Sequence, residues 1–354
     1  MKQLFATIAS ICLLSIASQA KIWRMNNNTS LTPLITTDFL PAITLQQAHD
    51  SSKVQNGDTI HLEQSPTNYG NCVFTKRLIL IGSGYFLNEA NANTQINTSQ
   101  NSQVGQLQFV NPGCAGSQVL GMEFTGICYF GTSNLTARNC RMPNIYLGSG
   151  TNVCDNIAIA QCFITNATYT WCILDNSASV KCSNIRITGN IVSGNYYGLN
   201  LGPNWSGIVK NNIFYGAVTP VSVYNMYVVN NIFSAPANVS NAFYNCVVEY
   251  NIGSTNTLIT TATRSNTVLG PGNLMNPTLG FVVAGTSDGI YQLQPSSPAK
   301  ATGKGGVDMG AFAGDYPYRL SGLAPIPNIY QLSIAPIAPA AATMSVTVSS
   351  KSNN

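Results

Sequence analysis

The chain has 354 residues, of which only 28 are Asp, Glu, Lys or Arg, whereas 40 are Asn. Charged residues make up 8%, against about 25% in ordinary soluble proteins, so solubility rests on amides and hydroxyls. The formal net charge of +4 is carried by scattered residues with no basic run, too little to suggest nucleic acid or anionic lipid as a partner.

Residues 1–20 read as a secretory signal peptide, with Lys2 at the positive end, an apolar stretch from Leu4 to Ile16 and a small-x-small cleavage site at Ser18-Gln19-Ala20. That stretch is too short to span a bilayer, and no later segment is long enough to do so. Nothing like a lipobox precedes Cys12. The expectation is a mature chain starting near Lys21, secreted or at the cell surface, with a net charge of +3 once Lys2 is gone (15 basic, 12 acidic). Nine cysteines remain, at 72, 114, 128, 140, 154, 162, 172, 182 and 246. An odd count leaves at least one free thiol. The absence of C-x-x-C, with His49 and His61 far upstream, gives a zinc site poor support. Buried thiols stacked between repeats fit better, and some disulfides stay open as an alternative.

Residues 21–43 lack any repeat and read as a leader. Leu45-Gln-Gln-Ala48 is a short amphipathic helical candidate. Asn56-Gly57-Asp58-Thr59 then turns into Ile60-His61-Leu62, and Lys76 to Gly82 follows about one repeat later. From there to about Phe312, strand-like runs of three to five residues alternate with Gly/Asn/Ser turns. Asn-Asn-Ile-Phe occurs at 211–214 and again at 230–233. Aligning Cys162, Asn190, Asn212, Asn231 and Asn251 gives intervals of 28, 22, 19 and 20 residues. Such a period means a solenoid, one coil per repeat. Leucine-rich repeats would need Leu at fixed places plus a helical segment, and propeller blades about twice the length. The expected fold is all-β: a parallel β-helix of about twelve coils over residues 44–330, roughly 55–60 Å long. Asn suits it twice over, stacking between coils through its amide and tolerating left-handed turns. Residues 331–354 read as an Ala/Pro-rich linker and one strand, Thr343 to Val348.

Leu45-Gln-Gln-Ala48, Asn56-Gly-Asp-Thr-Ile60 and Leu78-Ile-Leu-Ile-Gly82 resemble the N-terminal cap and first coils of right-handed parallel β-helix proteins of the pectin-lyase-like type. Tyr291-Gln-Leu293, Ser296-Ser-Pro-Ala299 and Gly305 to Ala311 resemble the closing segment of exported bacterial members. The ending, Leu320 to Tyr330, is similar to that of secreted proteins from Bacteroidetes-like bacteria. The resemblance implies a right-handed coil with an N-terminal cap. It leaves activity open, because this fold serves lyases, hydrolases, tailspikes, adhesins and non-catalytic proteins. The Asn-Thr-Asp, Asp-Asp, Gly-His-Gly and Arg-Ile-Lys signatures of polygalacturonase-like hydrolases are absent, as is any adjacent acidic pair of the sort a pectate-lyase calcium site needs.

The best cluster for chemistry is Asp155, Asp175, Lys181 and Arg186. Two carboxylates about one coil apart, with a cation, could bind calcium and deprotonate a uronic acid. The plainer reading makes both Asp-Asn dipeptides turns. No cofactor is expected, and calcium enters only under the lyase reading. Arg138, Lys210 and Glu249 share one coil position that elsewhere holds Ala160, Thr188 and Val229, as on an outward strand face. Tyr169, Trp171, Tyr196, Tyr197 and Trp205 fall in or beside the longest coil, where aromatic rings beside Asn and Gly suit stacking on sugars, or packing within the rod. The favoured expectation is a non-catalytic glycan-binding protein. A polysaccharide lyase or glycoside hydrolase acting on an acidic polysaccharide, and a structural or adhesive envelope protein, are the alternatives.

Overall fold

The computed structural model describes residues 20–28, 40, 44–89, 100–166, 170–176, 180–194, 196–217, 219–236, 239–334 and 346–351. The signal-peptide reading, apart from Ala20, lies outside them, as do Tyr169 and the Ala/Pro stretch 335–345. Among the described residues, short strands stack into three parallel sheets of eleven, nine and eight strands, a parallel β-helix solenoid. One coil shows the plan. Met226–Val229 lies in the first sheet, Ile232–Ser234 in the second and Ala242–Tyr244 in the third. The chain then re-enters the first sheet at Val247–Glu249, with Val228 beside Val248. In the first sheet Val119, Ala137, Ile159, Ile187, Val209, Val228 and Val248 stand in register and are buried. Each buried β-branched side chain in that row contributes about 1.5–3 kcal/mol.

The corners explain the Asn content. Between the first and second sheets, Asn139, Gln161, Asn211, Asn230 and Tyr250 take positive φ. Between the third and first, Asn134, Asn156, Asn184, Asn225, Asn245 and Asn266 do so. Asn is the side chain that most readily adopts this left-handed conformation. The residue after the first corner forms a buried ladder. Asn190, Asn212, Asn231 and Asn251 each donate Nδ2 to Oδ1 of the Asn one coil on, at 3.0, 3.0, 2.9 and 3.2 Å, ending at Asn273. The same oxygens accept the backbone N–H of the preceding ladder residue at 2.9–3.0 Å, beginning with Cys162. Cys140 and Cys162 continue the row as buried thiols. All nine cysteines from Cys72 to Cys246 are buried, and none is in a disulfide.

At the N-terminal end, Leu45–Asp50 is a helix, started by a capping box between Thr44 and Gln47. Leu45 and Ala48 face the core, and the Lys76 ammonium closes the other end on the carbonyls of His49, Ser51 and Val54. Within the expected leader, Ile22–Met25 is a strand of the solenoid, pairing with Thr59–Leu62. Asp58 holds it by accepting the Lys21 N–H and the Trp23 indole N–H, each at 2.8 Å.

The strand-and-turn repeat does not run on to Phe312. The last first- and second-sheet strands are Val268–Leu269 and Leu274–Met275. Residues 279–324 form a strap that returns along the outside of the rod. Outward-facing Phe163, Ile191, Ile213, Ile232 and Ile252 of the second sheet are in register. Leu279, Tyr291, Ala299, Met309, Ala311 and Tyr318 cover them, forming a second core. The corner residues anchor the strap. The Gly310 N–H donates to the Asn230 carbonyl at 2.8 Å, the Lys304 N–H to Asn230 Oδ1 at 2.8 Å, and Gln161 Nε2 to the Pro317 carbonyl. At Gly189 (φ +64) a Cβ would lie 2.1 Å from the Tyr316 carbonyl oxygen, so only glycine lets the strap pass. The strap reaches an early coil, where the Tyr85 N–H donates to the Ser321 carbonyl and buried Asp288 accepts from Tyr318 at 3.1 Å and the Ser321 N–H at 2.7 Å. The C-terminal strand does not stand alone: Val346–Lys351 pairs antiparallel with Asn328–Ile334.

Candidate functional site

The charged cluster expected from the sequence is not assembled as one site. Asp155 lies in the corner leading into the first sheet. Its carboxylate accepts the Ser183 N–H at 2.6 Å and the Ser183 hydroxyl at 2.9 Å. Asp175 ends the third-sheet strand Trp171–Asp175, in register with Leu147, and accepts the Gly202 N–H at 3.2 Å. The coil is longest here, so the structural equivalent of Asp155 one coil on is the neighbourhood of Ser183, not Asp175. Lys181 is exposed, and Arg186 is exposed on the first sheet, with its Nε donating to Asn184. Both carboxylates thus tie one coil to the next. Among the described residues no three His, Cys, Asp or Glu side chains converge as metal ligands.

Arg138, Lys210 and Glu249 do share one outward register position, with Ala160, Thr188 and Val229 between them. The strap uses that row. Lys210 pairs with Asp315 at 2.8 Å, Arg138 lies 5.7 Å from the Tyr316 ring centroid, and Glu249 accepts from Lys304 and Tyr227. Those two hydrogen bonds, Lys304 foremost, hold the Glu249 carboxyl below its usual range. A cavity of about 230 Å³ between strap and second sheet, lined by Ile213, Leu293, Met309 and Phe312, is smaller than the few hundred Å³ of usual ligand pockets.

The aromatic residues give a more coherent surface. Trp171 and Tyr197 are register partners on the outer face of the third sheet. Their rings are stacked at 6.1 Å with 10° between planes, and Tyr196, 46% exposed, meets Tyr197 edge-on at 4.7 Å. Trp205 is different: it is 0% exposed, inside the rod, and so cannot meet a ligand from solvent. It begins a first-sheet strand opposite Cys182, in phase with buried Val209, so strand alternation alone turns its ring inward.

Two further pairs extend the same face. Tyr129 and Tyr146 sit side by side, edge to face at 5.4 Å. Tyr224 and Tyr244 stack at 4.2 Å with 7° between planes. Strand alternation makes them outward: Tyr129 lies between buried Cys128 and Phe130, and Tyr146 between buried Ile145 and Leu147. Gln108, Tyr129, Tyr146, Leu174, Asn200, Ser222 and Ala242 form one register row, each half-buried.

No protein-family model, curated protein or solved structure matches this chain. Among the described residues no helix is long and apolar enough to cross a membrane. The function therefore has to be argued from this face: paired aromatic rings, amides and hydroxyls, repeated from coil to coil on a rigid sheet.

Proposed function

We propose that this protein binds a glycan, without cleaving it, through the outer face of the third sheet. The observation that carries the reading is the set of three ring pairs, Tyr129–Tyr146, Trp171–Tyr197 and Tyr224–Tyr244, half-buried on that face. A sugar presents apolar C–H faces and a rim of hydroxyls. Tyrosine and tryptophan rings meet the former, while Gln108, Asn200 and Ser222 are placed for the latter. Side chains fixed on consecutive strands lose little freedom on binding, which favours a long ligand touching several coils weakly. No observation favours catalysis, because the carboxylates of the expected cluster hold neighbouring coils together. The same reading takes the coil as right-handed, the general hand of parallel crossover connections, and the protein as exported after cleavage near Ala20.

The test uses residues 21–354 in co-sedimentation with insoluble polysaccharides, scoring released reducing ends and unsaturated products in the same tubes. Retention without products is expected. Tyr146→Ala and Tyr197→Ala should each weaken it about two- to tenfold, from about 0.5–1.5 kcal/mol per ring contact. Retention that both variants leave intact would remove the face from consideration. Product release would replace binding with turnover.

A further inference from the structure

Resting on that reading of the third sheet, we infer that its ligand is an uncharged glycan. The eight strands of this sheet contain one charged residue, Asp175, and its carboxylate is engaged by the Gly202 N–H. The chain carries 16 Lys and Arg, yet none occurs between Arg141 and Lys181 or between Lys210 and Arg264. Those two intervals supply Tyr146, Trp171, Leu174, Ser222, Tyr224, Ala242 and Tyr244 to the face.

Most of the cations go elsewhere; Lys181, exposed in the corner before Cys182, and Arg264, after the Thr263 that pairs with Phe243, border the sheet. Arg138, Arg186 and Lys210 stand on the first sheet, Arg141 on the second, and Lys300 and Lys304 in the strap. Most are also occupied: Arg141 by Glu123, Lys210 by Asp315, Lys300 by Asp308 and Lys304 by Glu249.

A polyuronate bound along these strands would desolvate carboxylates against a surface with one carboxylate and, past Tyr244 at its last coil, the single cation Arg264, which is too little to offset the loss along the face. An uncharged chain meets no such cost. Its hydroxyls exchange water for the amides of Gln108 and Asn200, the Ser222 hydroxyl and the phenolic groups. Its C–H faces take the rings. Because no ion pair forms, binding should be indifferent to salt.

The experiment compares retention of residues 21–354 on uncharged polymers (β-glucan, mannan and xylan) and acidic ones (polygalacturonate and alginate). It is run at about 50 and 500 mM NaCl, where screening differs severalfold in range. The expected result is retention on at least one uncharged polymer, changing less than about twofold with salt and reduced in Tyr146→Ala. Retention on acidic polymers alone, lost at high salt, would overturn this inference while leaving glycan binding intact. Retention on none would overturn the glycan reading itself. Should Tyr146→Ala fail to fold, Ser222→Lys, a change at a half-buried outer position, serves instead. It should confer salt-sensitive retention on polygalacturonate that the parent lacks, and no gain would show that charge on this face does not select the ligand.

Discussion

Replacing Asn231 with alanine should weaken the rod at a defined place. The side chain of Asn231 accepts the Asn212 N–H at 2.9 Å and Asn212 Nδ2 at 3.0 Å. It donates to the Val209 and Val229 carbonyls at 2.8 and 3.0 Å and to Asn251 Oδ1 at 2.9 Å. Not every partner is orphaned by its loss. Asn212 Nδ2 keeps the Ile187 and Lys210 carbonyls, and Asn251 Oδ1 keeps the backbone N–H of residue 231. The buried Asn212 N–H keeps nothing. One buried unpaired N–H, the weakened carbonyls and a small void together cost about 2–4 kcal/mol. Asn184→Gly is the matched control. That side chain makes an exposed rung to Asn156 at 2.6 Å, and its φ of 57° suits glycine, so the change should stay within about 0.5 kcal/mol. A solenoid need not unfold in one step, so urea midpoints should be read together with hydrogen exchange at the Asn212 amide. A loss below about 0.5 kcal/mol for Asn231→Ala, with that amide still protected, would refute the idea that the ladder holds the coils in register.

Two other outcomes follow from the electrostatics. The Glu249 carboxyl is held below its unfolded value by Lys304 and Tyr227, so its contribution is present above about pH 4.3 and lost as pH falls through the lower folded value. Asp308 behaves alike: burial opposes its ionisation, and hydrogen bonds from Lys300 and the Ala301 N–H outweigh it. Hydrogen exchange in 299–310, corrected for intrinsic rate, should therefore rise below about pH 4, and less so in Glu249→Gln; a flat profile would show that these pairs do not fasten the strap. For the cysteines, burial pushes Cys114 up to about 11 and Cys154 and Cys172 up to about 12. Ellman's reagent at pH 8 should find no reactive thiol in folded protein and all nine of residues 21–354 after denaturation. A smaller denatured count would reveal disulfides.

What the residues disclosed beforehand divides by periodicity. In Asn-Asn-Ile-Phe the first Asn takes the left-handed corner, the second forms the ladder, Ile faces outward under the strap and Phe points into the rod. A motif with one role per position is visible because it recurs. The strap has no such period: Leu279, Tyr291, Ala299, Met309 and Ala311 fall at intervals of 12, 8, 10 and 2 residues. The trace it does leave is the outward apolar residue after each ladder position, Phe163, Ile191, Ile213, Ile232 and Ile252, which needs a cover. Tyr129 and Tyr146 were legible from strand alternation, but the longest coil drew attention to Trp171 and Tyr196 instead. Trp205 was legible too, standing four positions before buried Val209 on one strand, where alternation places its ring inward.

The meeting of Tyr85 and Tyr318, hydroxyl to hydroxyl at 2.5 Å across 233 positions, changes what kind of object the rod is. A stack of coils held only by neighbours can fray from an end, one layer at a time. A clasp thrown from the late coils back to an early one ties distant layers into a single cooperative unit, so that peeling any of them must first undo the clasp. It also sets an order of events during synthesis. The clasp can close only after the intervening coils have stacked, because its landing surface is the row of side chains that those coils bring together.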